Sequence, residues 1–340
     1  YSIKAESASD TIVLTNILFG DVFICSGQSN MQFTVDQAFN ATNEVSNASR
    51  YDNIRVFTAP ETCSNTSLDE LLYVEEIWSV AGSKSIGGGN WSYFSATCWF
   101  FGRNLYDTLQ YPIGLIGTDY GGTPVRDWIP KPYLSVCNET SMDIHKRRTK
   151  PGLKDLGGLT PSCLYNAMIA PFLRTTIKGA IWYQGENDAD NEHASLYSCG
   201  FPLMINAWRQ EWNLKSDTDG NFPFGFVHLS VWDDASNETC GNNIACQNVA
   251  IVRYGQTANY GYIPNPAMPN TFFATAIDLG DPTSPFGDIH PRYKQEVGLR
   301  LSRAALQQIY GYNDYYINGP IPVHASYDKT NSIVNVRFRN

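Results

Sequence analysis

The sequence is poor in charge, and the charge it carries has the wrong sign for several classes of partner. Lys and Arg number 24 against 33 Asp and Glu in 340 residues, which gives a net charge of -9. An excess of carboxylates repels phosphate and therefore argues against nucleic acid or anionic lipid as a partner. No stretch approaches the roughly 18 consecutive apolar residues of a membrane span, and the opening residues contain no apolar signal core. We therefore expect a globular chain without a membrane span.

Several catalytic and cofactor motifs are also missing. The sequence has no HExxH motif, no Walker sequence, no GxGxxG after its first buried strand and no GxSxG elbow. Its eight cysteines include no CxxC pair, so disulfides are a better interpretation than zinc. Because nothing indicates a ligand set, we expect neither a metal ion nor an organic cofactor.

The cysteines and the glycosylation sequons together indicate a compartment. An even number of cysteines is typical of the oxidising secretory pathway, and we expect a lysosomal or secreted glycoprotein. Cys240 and Cys246 flank a turn-prone loop and are the predicted pair, whereas Cys25, inside an apolar strand, is predicted to be a buried thiol. Asn-x-Ser/Thr sequons stand at Asn40, Asn47, Asn65, Asn90, Asn138 and Asn237.

Short apolar runs alternate with helical periodicity through most of the chain. Continuous apolar runs suit strands that are buried on both faces, and their alternation with helices predicts a three-layer α/β/α sandwich with a parallel sheet. The predicted strands begin at residues 21, 54, 113, 179, 224 and 271, and the predicted helices span 98–109, 165–173, 196–211, 245–259 and 293–310.

Both ends of the chain carry β-rich fragments rather than this alternation. We expect residues 1–20 to be strands of a preceding β-domain, 21–312 to form the catalytic domain, and 313–340 to begin another β-rich region. Another chain or segment that carries the rest of the β-domain is the one protein partner that this organisation suggests.

A serine and a histidine fall at the same edge of the predicted sheet. Ser29 follows the first strand after the turn residue Gly27, and His290 lies beyond the last strand, just before the last helix. Since ligands bind at the carboxyl ends of parallel strands, the two side chains are expected to meet there. A serine becomes a good nucleophile when a histidine takes its proton, and that histidine is best held by a carboxylate.

The acid that would hold the histidine is left open by the sequence. Asp288 is the nearest carboxylate to His290, and Glu186, Asp278 and Asp281 compete with it. Glu186 follows the fourth strand at the same edge.

Four segments resemble a known family. They are GQSNM at 27–31, GGTPVRDW at 121–128, WYQGEND at 182–188 and DIHPRYKQEVGLRL at 288–301. In content and order they resemble the SGNH hydrolase superfamily and, within it, the sialate O-acetylesterase family, from about residue 17 to the end. The resemblance implies a flavodoxin-like core and the removal of O-acetyl esters from sialic acids, chiefly on the glycerol side chain.

The resemblance also implies roles for individual residues. Ser29 would be the nucleophile and His290 the general base, while Gly121 or Gly122, with Gln184, would bind the oxyanion. Gly287 stands where the superfamily usually has its Asp, and some related carbohydrate acetylesterases resemble this sequence in a Glu that corresponds to Glu186, which makes Glu186 the first alternative to Asp288. Gln184 stands in the block that usually provides an Asn, with Asn187 three residues further on.

Further side chains are candidates for substrate binding. A sialic acid carboxylate calls for a cation, and Arg126 and Arg253 are the candidates; a structural salt bridge is the alternative for both and the preferred interpretation of Arg253. Trp128 is a candidate for stacking on the sugar. The alternatives are an acetylesterase for another carbohydrate, such as acetylated xylan, and a glycan-binding protein without activity.

Overall fold

The structure is a computed structural model that describes residues 1–89, 91, 93–137, 159–189, 194–232, 244–314, 319 and 321–339. The strands of these residues are β1 (Ile3–Glu6), β2 (Thr11–Leu14), β3 (Asp21–Gly27), β4 (Ile54–Thr58), β5 (Glu76–Val80), β6 (Ile113–Asp119), β7 (Gly179–Tyr183), β8 (Phe224–His228), β9 (Thr271–Thr275), β10 (Ile321–Asp328) and β11 (Ile333–Arg339). The α-helices of the same residues are α1 (Ser29–Gln32), α2 (Ala41–Asn47), α3 (Ser83–Ile86), α4 (Ala96–Leu109), α5 (Glu186–Ala189), α6 (Tyr197–Lys215), α7 (Ile244–Gly255) and α8 (Lys294–Tyr310).

A seven-stranded sheet forms the centre, in the order β5-β4-β6-β3-β7-β8-β9. All neighbouring strands run parallel except β5, which pairs antiparallel with β4 at one edge. The six strands predicted from apolar runs are therefore confirmed. β5 was not predicted, because Ile77 and Trp78 on it are exposed and give no buried apolar run.

Helices cover the sheet on both faces. Phe23 of β3 meets Phe101 of α4 at 5.2 Å between ring centroids, on one face. On the other face Trp182 of β7 meets Trp208 of α6 at 5.8 Å. Because aromatic side chains fill both interfaces, the strands are buried on both faces, and the predicted three-layer α/β/α sandwich is confirmed.

The predicted helices are found with small differences in extent. Four of them correspond to α4, α6, α7 and α8. The fifth, predicted at 165–173, consists of a π-helical turn, Tyr165–Ile169, followed by a 3-10 turn, Ala170–Phe172. None of the helices in the described residues is both long and apolar enough to cross a bilayer.

Each end of the chain carries a two-stranded antiparallel hairpin. β1 pairs with β2, and β10 pairs with β11. Every residue of β1 and β2 is exposed, including Ile12 and Val13. The hairpins agree with the strand fragments expected at 1–20 and 313–340, and their membership of separate domains stays a prediction.

Within the part of the chain that the structure describes, three disulfides join Cys25 to Cys98, Cys63 to Cys163 and Cys137 to Cys199. The prediction that Cys25 is a buried thiol is wrong, because α4 packs on β3 and brings Cys98 within bonding distance. Cys240 lies outside the described residues, so its pairing with Cys246 stays a prediction. Asn90, Asn138 and Asn237 also lie outside them.

Candidate active site

Ser29 owes its position to the turn that ends β3. Gly27 has φ +147°, and a Cβ atom there would lie 2.2 Å from the carbonyl oxygen of Tyr183, so a side chain would clash with β7. The turn makes Ser29 the first residue of α1. Gln28 and Asn30 on either side are buried, whereas Ser29 is only half-buried. The hydroxyl is therefore presented at the carboxyl edge of the sheet.

His290 meets Ser29, as the sequence predicted. Its Nε2 lies 2.8 Å from Ser29 Oγ, and its Nδ1 lies 2.7 Å from the main-chain oxygen of Phe286. A carbonyl oxygen only accepts, so Nδ1 carries the proton and Nε2 offers its lone pair to the serine hydroxyl. This tautomer is the one in which a histidine can act as a base toward serine.

The hydrogen-bond partner of His290 Nδ1 is a main-chain carbonyl and not the predicted carboxylate. Asp288, the first candidate, accepts a hydrogen bond from its neighbour Ile289 N at 2.9 Å, while the Phe286 carbonyl occupies the position beside the histidine. The reason is the turn at Gly287, whose φ of +92° folds the chain back so that Phe286 O faces the ring.

The two other aspartates proposed for this role are held by arginines. Asp281 accepts from the side chain of Arg292 at 2.6 Å, and Asp278 forms a two-point pair with Arg300 at 2.6 and 2.7 Å. Bidentate contacts with guanidinium groups are strong and directional, and they orient these carboxylates toward arginine.

Glu186 contacts Asn30 and lies beneath the reacting pair. It is 5% exposed, and its Oε1 accepts from Asn30 Nδ2 at 2.6 Å. Burial raises the pKa of Glu186 to about 7. Asn30 also contacts Lys294, which is fully buried. Sequence reasoning missed both Asn30 and Lys294, although each lies within four residues of a predicted catalytic residue.

The paired glycines lie beside the serine, and they differ in their contacts. A Cβ atom on Gly121 would lie 3.4 Å from Ser29 Cβ, which places this loop directly against the nucleophile. The N–H of Gly121 is donated to Gln32 Oε1 at 3.1 Å. Gly122 has φ +69°, and its carbonyl accepts from Asn187 Nδ2 at 2.9 Å. Because the Gly121 N–H is already donated to Gln32, Gly122 is the better candidate for a main-chain donor to an oxyanion.

Gln184 is fully buried, and its side-chain amide forms hydrogen bonds with other buried groups. Nε2 donates to Thr123 O at 3.0 Å and to Asp188 Oδ2 at 2.5 Å, and Oε1 accepts from Tyr197 Oη. Both amide hydrogens are thus committed, which argues against the predicted oxyanion role of Gln184. Asn187, which touches Gly122, is the better side-chain candidate.

The two predicted substrate-binding residues differ in accessibility. Trp128 is fully buried, donates from Nε1 to Thr123 Oγ1 at 3.1 Å and packs edge-on against Trp182. It belongs to the core, so the prediction that it stacks on a sugar is wrong. Arg126 keeps 14% of its side chain exposed, and its Nε lies 3.7 Å from Asp127.

An aromatic side chain that the sequence analysis overlooked stands beside the histidine. The ring centroid of Trp91 is 4.9 Å from that of His290, and Trp91 also contacts Phe33 and Phe286 edge-on. The enclosure matters for charge, since burial, together with the smaller effect of the nearby Lys294 charge, lowers the pKa of His290 to about 4. His290 is therefore neutral, and able to accept a proton, in mildly acidic solution.

Comparisons with known proteins agree with this geometry. The family model for carbohydrate esterases described as sialic acid-specific acetylesterases matches residues 19–262. This chain belongs to that family. A human sialate O-acetylesterase is 43% identical to it over 319 residues, and a mouse one is 41% identical over 368 residues.

These relatives are longer than the chain. The alignments cover 93% of this chain and 58% of the human protein, and 99% of this chain and 66% of the mouse protein. The crystal structure of a carbohydrate acetylesterase from Xanthomonas citri superposes with a TM-score of 0.78 at 27% identity, covering all of this chain and 67% of that one. The fold and the family are therefore shown for most of the chain.

Proposed function

We propose that the chain hydrolyses O-acetyl esters of sialic acids, including those of the glycerol side chain, and releases acetate and free sialic acid. The observation that carries the proposal is the 2.8 Å contact between Ser29 Oγ and His290 Nε2 at the carboxyl edge of the sheet. Membership of the sialic acid-specific acetylesterase family supports the substrate class.

The reaction proceeds by acyl transfer in two steps. Ser29 Oγ attacks the acetyl carbonyl while His290 Nε2 takes the hydroxyl proton, and a tetrahedral oxyanion forms. His290 then gives the proton to the departing sugar oxygen, which leaves acetate esterified to Ser29. Water, activated by the same histidine, releases the acetate and restores the serine. The steps balance without a metal or an organic cofactor.

The Phe286 carbonyl takes the orienting role that a triad acid fills elsewhere. It fixes the proton on Nδ1 and so keeps Nε2 available as the base. A carbonyl dipole stabilises the imidazolium less than a full carboxylate charge does.

The oxyanion is bound by groups around Ser29. The Ser29 N–H at the start of α1 and the Gly122 N–H are the main-chain candidates, and the Asn187 amide is the side-chain candidate in place of Gln184. Removing one donor of this kind from a serine hydrolase costs roughly 3 to 4 kcal/mol of transition-state stabilisation.

Arg126 is the candidate for the sialic acid carboxylate, because it is a partly exposed cation on the turn that follows the glycine loop. Trp91 replaces Trp128 as the aromatic residue that faces the substrate, since it is partly exposed and lies against His290.

The covalent structure supports a proposal for the compartment. Three disulfides fit the oxidising secretory pathway, and we place the protein in the lysosome or outside the cell, with N-linked glycans. The exposed hairpins at 1–20 and 313–340 would belong to accessory β-domains whose remaining strands come from another segment or chain.

Acetate release from three substrates tests the proposal. We expect turnover of 9-O-acetyl-N-acetylneuraminic acid and of p-nitrophenyl acetate, and little from acetylated xylan. Turnover of the aryl acetate and xylan without the sialate would assign another carbohydrate. No turnover at all, and no labelling by a fluorophosphonate, would instead indicate a glycan-binding protein.

A further inference from the structure

The main-chain carbonyls on both sides of His290 are held by buried side chains. Asn30 Nδ2 donates to the oxygen of Ile289 at 2.8 Å, and Lys294 Nζ donates to the oxygen of Pro291 at 2.7 Å. The Ile289 oxygen belongs to the peptide that precedes His290, and the Pro291 oxygen belongs to the peptide that follows the next residue. The two contacts therefore restrain the main chain on both sides of His290, independently of its ring contacts.

The two holding side chains are also bonded to each other and to Glu186. Lys294 Nζ donates to Asn30 Oδ1 at 2.7 Å, and Asn30 Nδ2 donates to Glu186 Oε1 at 2.6 Å. An ammonium group only donates, whereas a main-chain carbonyl oxygen such as that of Ile289 only accepts. The Asn30 amide therefore has a single permitted orientation, since a flip would break its bonds to Lys294 and to Ile289.

Stability alone does not explain such a cluster. Lys294 is fully buried, Asn30 is 1% exposed and Glu186 is 5% exposed. The Lys294 ammonium lies 4.5 Å from the centroid of the Phe33 ring, in a largely apolar setting. Removing charges from water costs more than their mutual attraction commonly returns, and apolar replacements of buried ionic groups are often as stable.

The location of the cluster indicates what it does. Asn30 directly follows Ser29 on α1, and Lys294 begins α8, four residues after His290. The Ser29–His290 contact joins residues 261 positions apart in the sequence. The hydrogen bonds of Asn30 and Lys294 connect these two segments next to the reacting residues in the sequence.

We propose that Asn30 and Lys294 are positioning residues that hold His290 against Ser29, and that Glu186 acts through the Asn30 amide rather than as the acid on His290. The proposal depends on the proposed function only in taking Ser29 and His290 as the reacting pair. It requires no contact between the cluster and the sugar.

The test uses Asn30→Ala, Lys294→Met and the near-isosteric Asn30→Asp, which keeps the acceptor for Lys294 but loses both donors. Each is assayed on p-nitrophenyl acetate for kcat and KM, and by the rate of fluorophosphonate labelling. Loss of positioning by about 1 Å is expected to lower kcat roughly 100-fold, with KM changed less than about threefold.

Lys294→Met has a second expected signature. Glu186 and Asp281 are the charged groups whose fields act on Lys294, and the Lys294 charge in turn disfavours the imidazolium of His290. Removing this charge should move the acid limb of kcat/KM to higher pH. A role limited to stability would leave that limb unmoved.

Arg209→Met is the matched control. Arg209 is also a buried cation that donates to main-chain carbonyls, those of Phe222 and Asn270. These residues precede β8 and β9, at the edge of the sheet opposite the site. The control should lose stability while the kcat of the folded protein stays unchanged.

Glu186→Gln separates the two roles of the glutamate. The amide keeps an acceptor for Asn30, so a positioning role predicts a loss of no more than about tenfold, against the roughly 10⁴-fold loss when a triad acid is replaced. A 10⁴-fold loss would overturn the assignment of Glu186.

Wild-type kcat in Asn30→Asp and Lys294→Met would overturn the positioning role. Unchanged activity in Ser29→Ala would instead contradict the proposed function.

Discussion

The value of kcat/KM should fall in acid only at a pH well below the pKa of an ordinary histidine. His290 acts as a base only when it is neutral, so kcat/KM falls as the pH drops through the pKa of His290 in the free enzyme. Burial beside Trp91 and the charge of Lys294 lower that pKa to about 4 from the usual 6.5. Both effects disfavour the imidazolium.

The neutral fraction of His290 at pH 5 differs greatly between a lowered and an ordinary pKa, and this difference can be measured. With a pKa of about 4, roughly nine-tenths of His290 is neutral at pH 5, whereas a pKa of 6.5 would leave only about 3% neutral. Hydrolysis of an aryl acetate, measured as kcat/KM from pH 3.5 to 8, should therefore be nearly flat between pH 5 and 7. A lysosomal enzyme would benefit directly from this property.

A limb with its midpoint near pH 6.5 would refute the reasoning, because it would mean that water solvates the imidazolium freely. Reversible unfolding in acid could mimic a low limb. Far-UV circular dichroism at each pH, together with recovery of activity after return to pH 7, separates the two.

Three further predictions concern single contacts. Asp288→Ala should lower kcat by less than about tenfold, because the Phe286 carbonyl holds His290; a loss near 10⁴-fold would restore Asp288 as the triad acid. Replacing Cys25 and Cys98 by Ala should lower the free energy of unfolding by about 4 kcal/mol, from the entropy of a loop closed over 73 residues, as measured by urea denaturation. Arg126→Met should raise KM for the acetylated sialate at least tenfold and leave KM for p-nitrophenyl acetate unchanged; equal KM values on the sialate would exclude Arg126 from binding the carboxylate.

Much of the fold was predictable because parallel strands carry a strong local signal. Residues 113–119, for example, are buried at every position because both faces are covered, and their first five residues are apolar or glycine. β5 has no such signal, as an edge strand whose apolar side chains point outward is indistinguishable from a loop. Likewise, the pairing of Cys25 with Cys98 depends on how α4 packs on β3, which no local pattern reveals.

The site was predictable to the extent that topology determines it. Ser29 and His290 could be paired because the carboxyl ends of parallel strands share one edge. The partner of His290 Nδ1 could not be predicted, since a main-chain carbonyl has no sequence signature and any residue could stand at Phe286. Trp128 was mistaken for a surface residue because tryptophan suits a core and a sugar site equally well.

The most direct test of the account is acetate release from 9-O-acetyl-N-acetylneuraminic acid by the wild type and by Ser29→Ala, with the labelled residue located by mass spectrometry after fluorophosphonate treatment. We expect turnover and labelling at Ser29 in the wild type, and neither in a Ser29→Ala protein of unchanged fold. Turnover by the variant, or a label on any other serine, would contradict it.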